Sequence, residues 1–323
     1  MTKGFRPSQS LKAVRYEIRG SLAHRAQELE RLGHEVISLN IGNPGLFGFR
    51  TPENMRLAMI ENLHSSEPYC HQKGVFSARE AVVMQQQDRG IQGVTAEEVF
   101  IGNGVSELID LSLRALLNSG DEVLIPSPDY PLWTAGVTLN QGRAVHYDCL
   151  PENGFLPDPA ALEKLISRRT RAIVVINPNN PTGAVVDAGY LGEVVQFAKQ
   201  YDVAVMHDAS YTEVAFDGYR PISFLEIPGA FDVGIEFHSL SKSYNMTGWR
   251  VGTAAGNSDM IEALMVVKSN LDSGIPNAVQ YMGIEALKSS DEDIQERNLV
   301  YQRRRDKVVE ALSKMGLEVD PPH

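Results

Sequence analysis

The stretch RAIVVINPNNPTGAVVDAGYLGEVVQFAKQYDVAVMHDAS, residues 171–210, contains one complete strand–helix–strand unit. The apolar run RAIVVI predicts a buried strand, DAGYLGEVVQFAKQ a helix and VAVMHDAS a second strand. A helix that joins two buried strands at this spacing is typical of a parallel sheet covered on both faces. The stretch therefore predicts an α/β fold.

The same alternation of strands and helices continues on both sides of this unit. Upstream, the predicted strands EEVFIG, DEVLIPSP and RAVHYDC alternate with the predicted helices SELIDLSLRALL, PLWTAGVTLN and PAALEKLI, and downstream DVGIEFHSL is a further strand. We expect a mostly parallel central sheet flanked by helices. Ligands bind to such sheets beyond the carboxyl ends of the strands.

Length and composition limit the classes of function. The 323 residues exceed one hydrophobic core and predict a large domain with a smaller second unit. A net charge of −11 predicts no binding to nucleic acid or to a membrane surface. Cys70 and Cys149 lack metal-ligand spacing, and the N-terminus has no apolar signal core. We expect a soluble, cytoplasmic protein without a metal site.

Two loops carry groups that suit a ligand. In IGNGVSELIDL, residues 101–111, a glycine turn leads into a helix whose free amide groups favour a phosphate. Taken alone, an ordinary turn with Ser106 as N-cap is the simpler interpretation. In INPNNPTGAV, residues 176–185, asparagine amides can donate and accept hydrogen bonds. Asn177 could be only a turn former, whereas we expect a function for Asn180.

Asp208 ends an apolar strand, where an unpaired carboxylate is costly, so it needs a cationic partner. One interpretation is a helix-capping or surface-pairing aspartate. The other is a carboxylate that keeps a pyridine nitrogen protonated, so that the ring can accept electrons. Tyr211 could reach the phenolic oxygen of the same ring, or it could be a packing residue.

The segment HSLSKSYNMTGWRVG, residues 238–252, contains Lys242 after an apolar strand. Most lysines face solvent, but partial burial here would lower the pKa of Lys242 and free a neutral amine for Schiff-base formation. Arg250 could bind a phosphate together with Ser239 and Ser241. Alternatively, Arg250 makes an ordinary ion pair and the serines are turn residues.

Together these motifs resemble fold type I pyridoxal-phosphate enzymes, specifically class I/II aminotransferases. The resemblance is carried by SLSK, by NPNNPTG, by the aspartate-x-x-tyrosine pair and by an arginine eight residues beyond the lysine, in that order. It runs through almost the whole chain. It implies a pyridoxal-phosphate-dependent transferase fold, with an amino acid and a 2-oxo acid as substrates and a ping-pong mechanism.

The resemblance also implies a role for each matching residue. Lys242 would bond to the cofactor aldehyde and move the substrate proton, Asp208 would pair with the ring nitrogen, and Tyr211 and Asn180 would hold the ring's 3′-oxygen. Tyr130 would stack on the ring, while Gly104, Val105, Ser106, Ser239, Ser241 and Arg250 would bind the phosphate. Gly42 and Asn180 would contact substrate. Tyr69 would reach the phosphate of a neighbouring subunit, which implies a homodimer.

The resemblance divides the chain into three parts and leaves two substrates open. We expect residues 1–45 to join a small domain, 46–285 to form the large cofactor-binding domain and 286–323 to begin the small domain. Family members continue beyond GLEVDPP to an arginine that binds the substrate carboxylate, and no such arginine follows here, so we expect the small domain to be incomplete. Motifs such as VRYEIRG and CHQKGVFSARE resemble glutamate-pyruvate (alanine) aminotransferases. The segment from about residue 200 is more similar to LL-diaminopimelate aminotransferases.

The leading functional prediction is transfer of an amino group between alanine, or a similar small amino acid, and 2-oxoglutarate. LL-diaminopimelate is the alternative amino donor. A β-lyase of the same fold is a second enzymatic interpretation. A cofactor-binding regulator without activity is a third, but no DNA-binding segment is visible to support it.

Overall fold

The computed structural model describes residues 6, 8–14, 20–39, 41–289 and 291–323. Most of the motif VRYEIRG and Asn40 of LNIGNPG lie outside the described residues. The strands are β1 Val99–Gly102, β2 Glu122–Ser127, β3 Arg143–Asp148, β4 Thr170–Ile176, β5 Ala204–Asp208, β6 Gly234–Ser239 and β7 Gly252–Gly256. They form one seven-stranded sheet in the order β1-β7-β6-β5-β4-β2-β3.

The helices are α1 Gln9–Ala13, α2 Ser21–Arg31, α3 Glu53–Glu61, α4 Phe76–Asp88, α5 Val105–Leu116, α6 Leu132–Leu139, α7 Pro159–Leu165, α8 Ala188–Tyr201, α9 Ala230–Val233, α10 Leu240–Ser243, α11 Ser258–Ser269, α12 Asn277–Leu287 and α13 Asp291–Lys314. No helix in the described ranges is long and apolar enough to cross a membrane. Both cysteines are free thiols.

The sheet is mostly parallel, as the sequence predicts. The strands β2 to β6 pair in parallel, whereas β7 runs antiparallel to both β1 and β6. The predicted α/β class is therefore confirmed. The strand β7 was not predicted, because its sequence GTAAG lacks the β-branched and aromatic residues that indicate a strand.

Helices cover both faces of the sheet, and two apolar clusters fill the spaces between them. Along β4, Ile173 and Val175 face one cluster, whereas Val174 and Ile176 face the other. The first cluster includes residues of α4, α8 and α12, and the second includes residues of α5, α6 and α11. Successive strand residues point to opposite faces, so burial on both sides explains the unbroken apolar runs in the sequence.

The register of the parallel strands brings their carboxyl ends to one edge of the sheet. Ile176 at the end of β4 is opposite Asp208 at the end of β5, and Asp208 is opposite Phe237 on β6. Ser239 ends β6 and is the N-cap of the short helix α10, which contains Lys242. The loops with the predicted functional groups therefore leave the sheet side by side.

Candidate active site

A cavity of about 390 Å³ lies beyond the carboxyl ends of β4, β5 and β6 and beside the start of α5. All predicted site residues except Gly104 and Tyr69 line it: Gly42, Val105, Ser106, Tyr130, Asn180, Asp208, Tyr211, Ser239, Ser241, Lys242 and Arg250. These residues come from six separate segments of the chain. Their convergence agrees with the rule that ligands bind at this edge of an α/β sheet.

Lys242 lies in α10, and its amine is partly withdrawn from solvent. Burial lowers the pKa of Lys242, the positive charge of Arg250 lowers it further, and Asp208 acts in the opposite direction. The Nζ atom lies 5.5 Å from the centre of the Tyr211 ring. The direction of the pKa change is the one expected from the sequence, and Arg250 is an additional cause.

The carboxylate of Asp208 is buried, with 3% of the residue exposed. Oδ1 accepts hydrogen bonds from Ser210 Oγ at 2.6 Å and from the Ser210 amide at 3.2 Å, and Oδ2 accepts one from Trp133 Nε1 at 3.0 Å. The surface-pairing interpretation is therefore wrong. No described side chain forms a direct ion pair with Asp208, whose hydrogen-bond donors are neutral, and the charge of Lys242 acts on it without a hydrogen bond. The carboxylate is thus held in position by neutral donors at the wall of the cavity.

Tyr211 and Asn180 line the cavity together with Asp208. Burial raises the pKa of Tyr211, and the nearby Asp208 carboxylate adds to this effect. The phenol therefore stays protonated as a hydrogen-bond donor. Asn177 has a different position, since its Oδ1 accepts from the Val186 amide at 3.0 Å and closes the loop. For Asn177 the turn-former interpretation is the one that fits.

The part of the cavity wall formed by the start of α5 and Arg250 suits an anion. Gly104 is the N-cap of α5 with φ = 79°, so the predicted N-cap Ser106 is wrong: Ser106 lies in the first helical turn. A Cβ atom on Gly104 would overlap the Arg250 guanidinium, which explains the need for glycine there. Arg250 Nη1 donates to Thr247 O at 3.2 Å. The free amides of α5 and this guanidinium together form a positive pocket.

An ion-pair network supports the first turn of α5 from behind. Glu107 Oε2 accepts from the Asn103 amide at 2.7 Å, and Glu107 Oε1 accepts from Lys268 Nζ at 2.7 Å. Burial opposes the charge on Lys268, but its hydrogen bonds to Asp272 and Glu107 outweigh burial and raise the pKa of Lys268. The lysine charge compensates the carboxylate that lies next to the anion pocket.

Tyr69 does not reach the cavity of its own chain, and 89% of it is exposed. Gly42 lines the cavity together with its neighbours Ile41 and Asn43, so the segment before α3 contributes to the site. Gly104 lies next to the Arg250 guanidinium but is not among the lining residues. Each of these positions is compatible with the expectation from the resemblance, and none of them tests the role expected there.

Sequence reasoning missed Trp133, Ser210 and Thr247. A partial signal existed for Trp133, because an indole in an apolar helix needs an acceptor for its N–H, but the sequence does not identify Asp208 as that acceptor. Ser210 binds Asp208 through its hydroxyl and its amide, and Thr247 accepts from Arg250 through its carbonyl oxygen, and no sequence motif indicated either contact. Among the described residues, no group of three or more His, Cys, Asp or Glu side chains is arranged to hold a metal ion.

The arrangement of donors fits pyridoxal phosphate. A phosphate suits the pocket between α5 and Arg250, while a protonated ring nitrogen suits the buried Asp208, which has no direct ion-pair partner among the described residues. The amine of Lys242 has a lowered pKa, as bonding to an aldehyde requires. Amine, carboxylate and anion pocket surround one cavity, so a single molecule with an aldehyde, a pyridine ring and a phosphate can engage all three.

Comparison with known proteins supports this assignment. The sequence profile of the family "Aminotransferase class I and II" matches residues 34–323. The glutamate-pyruvate aminotransferase AlaA of Escherichia coli (strain K12) is 46% identical over 246 residues, which cover 76% of this chain and 60% of that enzyme. The LL-diaminopimelate aminotransferase of Dehalococcoides mccartyi (strain CBDB1) is 42% identical over 304 residues, covering 93% of this chain and 78% of that enzyme.

Solved structures give the same result. An aminotransferase from Escherichia coli matches with a TM-score of 0.87 and 40% identity over 94% of this chain and 77% of that chain. The aspartate aminotransferase of Thermus thermophilus with maleate matches with a TM-score of 0.91 and 30% identity, over 99% and 83% of the two chains. The chain therefore belongs to the aminotransferase class I and II family, whose members of this fold depend on pyridoxal phosphate.

Proposed function

We propose, from this family membership, that the chain is a pyridoxal-phosphate-dependent aminotransferase that moves an amino group between alanine, or a similar small amino acid, and 2-oxoglutarate. The observation that carries the proposal is that the Lys242 amine, the Asp208 carboxylate and the Arg250 guanidinium line one cavity. The 46% identity to the glutamate-pyruvate aminotransferase supports alanine as donor.

The proposed roles follow from the chemistry of each group. When bound, pyridoxal phosphate supplies an aldehyde that bonds the substrate nitrogen and a ring that delocalises the electrons left when the Cα proton departs. Asp208 holds a proton on the ring nitrogen. Tyr211 and Asn180 donate hydrogen bonds to the phenolic oxygen, and Tyr130 packs on the ring.

The phosphate is proposed to bind the amides of Val105 and Ser106, the hydroxyls of Ser106, Ser239 and Ser241, and Arg250. This end fixes position and takes no part in proton transfer. Lys242 Nζ would act as the base that takes the proton from the substrate Cα and delivers it to the former aldehyde carbon of the cofactor, two bonds away across the nitrogen. Its lowered pKa favours the neutral form that this role requires. Gly42 and Asn180 are proposed to contact the substrate.

A second amino donor has support of its own. The LL-diaminopimelate aminotransferase matches 93% of this chain, against 76% for the glutamate-pyruvate enzyme, although its identity is slightly lower. LL-diaminopimelate is therefore the alternative donor. The chain spans 60% of the length of the glutamate-pyruvate relative, so the activity of a whole protein is inferred here from the part that contains the cavity.

We also propose a homodimer, the predicted three-part division and a cytoplasmic location. Support for the dimer comes from exposed apolar side chains on one face of α3, where Leu57 and Ile60 are 48% and 56% exposed, and from the fully projecting Tyr69. Support for a large domain at 46–285 comes from the sheet, which lies wholly within it. Two free thiols agree with a reducing compartment.

A single-turnover assay tests the function. The loaded protein is mixed with L-alanine, L-glutamate or LL-diaminopimelate without any 2-oxo acid, and the released 2-oxo acid and ammonia are measured. We expect about one equivalent of pyruvate per site from alanine, and no ammonia. A larger release from LL-diaminopimelate selects the alternative donor. A parallel incubation uses L-cystathionine, which has the leaving group on Cβ that elimination requires, and repeated release of pyruvate with ammonia from it selects a β-lyase. No release from any donor contradicts the proposal. Lys242→Ala is the control without the base.

A further inference from the structure

Arg297 in the second turn of α13 is a buried guanidinium, with 6% of the residue exposed. Its Nη1 donates to Lys242 O at 3.0 Å and also contacts Ser243 O, and its Nη2 donates to Glu213 O at 2.6 Å. No carboxylate in the described ranges forms an ion pair with it. The guanidinium is thus held by carbonyl oxygens alone, two of them from the segment that contains Lys242.

A buried charge of this kind needs strong acceptors. Burial lowers the pKa of Arg297, which records the cost of removing its charge from water. The last carbonyls of a helix have no partner within the helix and carry a partial negative charge. Lys242 and Ser243 occupy the end of the four-residue helix α10. Arg297 therefore supplies donors that α10 cannot supply itself, and the carbonyls in turn stabilise the guanidinium.

Asn298, the next residue of α13, takes part in the same contacts between α13 and the site segments. Asn298 Nδ2 donates to Glu213 O at 2.9 Å, and Asn298 Oδ1 accepts from Arg297 Nη2 at 2.8 Å. Glu213 lies two residues after Tyr211, in the segment that follows β5. The pair Arg297–Asn298 therefore joins the end of α10 to the segment of Tyr211.

We propose that Arg297 is a positioning residue that fixes the Lys242 side chain relative to Tyr211 by holding the backbone of both segments. This inference rests on the proposed function of Lys242 as the base. The Nζ atom lies 5.5 Å from the Tyr211 ring centre, and no hydrogen bond to another described residue anchors this amine. The position of the amine then depends on its backbone, and that backbone is held from α13.

The test uses three variants of the full chain: Arg297→Met, Arg297→Lys and, as matched control, Arg303→Met. Arg303 lies on the same helix and is exposed. The first readout needs no activity: the cofactor-free protein is treated with acetic anhydride from pH 6 to pH 11, and acetylation of the Lys242 peptide is measured by mass spectrometry. The second readout is kcat and KM for the amino donor of the wild-type chain.

For Arg297→Met we expect the midpoint of Lys242 acetylation to move to higher pH, because the released amine becomes more solvated. We expect kcat to fall by about 10-fold to 100-fold, the cost of misplacing a reacting group by about 1 Å, with KM changed less than about twofold. Arg297→Lys keeps a cationic donor, so its acetylation midpoint and its kcat should both lie between those of Arg297→Met and the wild-type chain. Arg303→Met should match the wild-type chain in both.

Two results would overturn the proposal. One is an Arg297→Met variant with a lower unfolding temperature but the wild-type acetylation midpoint and kcat, which would make Arg297 a structural residue only. If Arg297→Met does not fold, the other is an Arg297→Lys variant indistinguishable from Arg303→Met. A wild-type chain that shows no half-reaction, combined with a shifted acetylation midpoint in Arg297→Met, would contradict the proposed function and leave the positioning role intact.

Discussion

The lowered pKa of Lys242 favours the neutral amine that the proposed chemistry needs, but burying this side chain also lowers the stability of the folded protein. Burial and Arg250 lower the pKa of Lys242, so its charged form is less stable in the folded chain than in the unfolded chain. Between the folded and the unfolded pKa the unfolded chain binds more protons, and the free energy of unfolding rises with pH across that window. Below the folded pKa the penalty is fully present. The site residue therefore opposes folding at lower pH.

Lys242→Met should consequently stabilise the cofactor-free protein. We expect the free energy of unfolding to rise by on the order of 1 kcal/mol at pH 6, because an apolar side chain replaces a desolvated amine, and the gain to shrink as pH approaches the unfolded pKa. Urea unfolding at pH 6 and pH 10 measures this difference. Lys199→Met is the control, since Lys199 is partly exposed and pairs with Asp232 at the surface. An equal gain for both variants, or one independent of pH, would contradict the argument.

Trp133 is the second residue with a specific expectation. Its indole N–H donates to the Asp208 carboxylate, and a hydrogen bond to a charged group contributes about 1.5–3 kcal/mol. Trp133→Phe should lower the free energy of unfolding by an amount in that range and should weaken retention of pyridoxal phosphate, because Asp208 Oδ2 loses its described donor. Equilibrium dialysis of the cofactor and urea unfolding measure the two effects.

The control for Trp133 is Tyr147→Phe. The Tyr147 hydroxyl donates to Val174 O at 2.7 Å in the core, so its loss removes a neutral hydrogen bond worth about 0.5–1.5 kcal/mol. Tyr147 has no contact with the cavity, and cofactor retention should be unchanged. If Trp133→Phe affects stability and leaves cofactor retention equal to that of Tyr147→Phe, Trp133 does not act through Asp208.

At the level of elements, the sequence predicts best where the local pattern is strong. The strands β1, β2, β4, β5 and β6 are largely buried and mostly apolar, β3 (RAVHYD) has a mixed pattern, and the helices α5 to α8 have clear apolar faces, so these elements were predicted close to their observed bounds. The strand β7 was not predicted, because its sequence GTAAG has no such pattern. Its small residues are required by tertiary packing: a Cβ on Gly252 would lie 2.6 Å from the Val105 amide nitrogen, at the start of α5.

The same difference between local sequence patterns and tertiary contacts explains which site residues could be predicted. Residues that follow predicted strands, such as Asp208 and Lys242, could be assigned to one edge of the sheet from the sequence alone. Residues that contact the site from a neighbouring helix could not be assigned to it in this way. Trp133 reaches Asp208 from α6, Lys268 reaches Glu107 from α11 and Arg297 reaches Lys242 O from α13. These contacts depend on how helices pack on the sheet, which no local pattern encodes.

The contact between α11 and α5 gives a prediction at this scale. Lys268→Met removes the cation that compensates Glu107, 2.7 Å away, and leaves a carboxylate near the free amides of α5. Repulsion of the phosphate should weaken pyridoxal phosphate binding by about 10-fold, equivalent to about 1.4 kcal/mol. A double variant with Glu107→Gln should recover most of the affinity. Fluorescence titration of the cofactor measures both, and an unchanged affinity in Lys268→Met would contradict this role.

At the scale of the whole molecule, the position of Tyr69 raises the question of how many chains make one site. Tyr69 projects into solvent, whereas every other predicted cofactor residue except Gly104 lines the cavity. A residue that is exposed in one chain can still complete the site of another. The exposed apolar residues Leu57 and Ile60 on α3 give a second copy a surface to bury.

Hybrid dimers decide whether Tyr69 acts in a neighbouring site. Lys242→Ala and Tyr69→Phe proteins, each with low activity, are mixed under conditions that exchange subunits. If Tyr69 contributes to the partner's phosphate pocket, each hybrid contains one site with both residues intact and one with neither. Random exchange of equal amounts makes half of the dimers hybrids. One site in two is restored in each hybrid, so activity should rise to about one quarter of the wild-type value.

If Tyr69 acts only within its own chain, no site gains both residues and mixing should leave the activity at the average of the two variants. Sedimentation velocity before and after mixing controls for the dimer itself, and a chain that sediments as a monomer while carrying full activity would contradict the shared site.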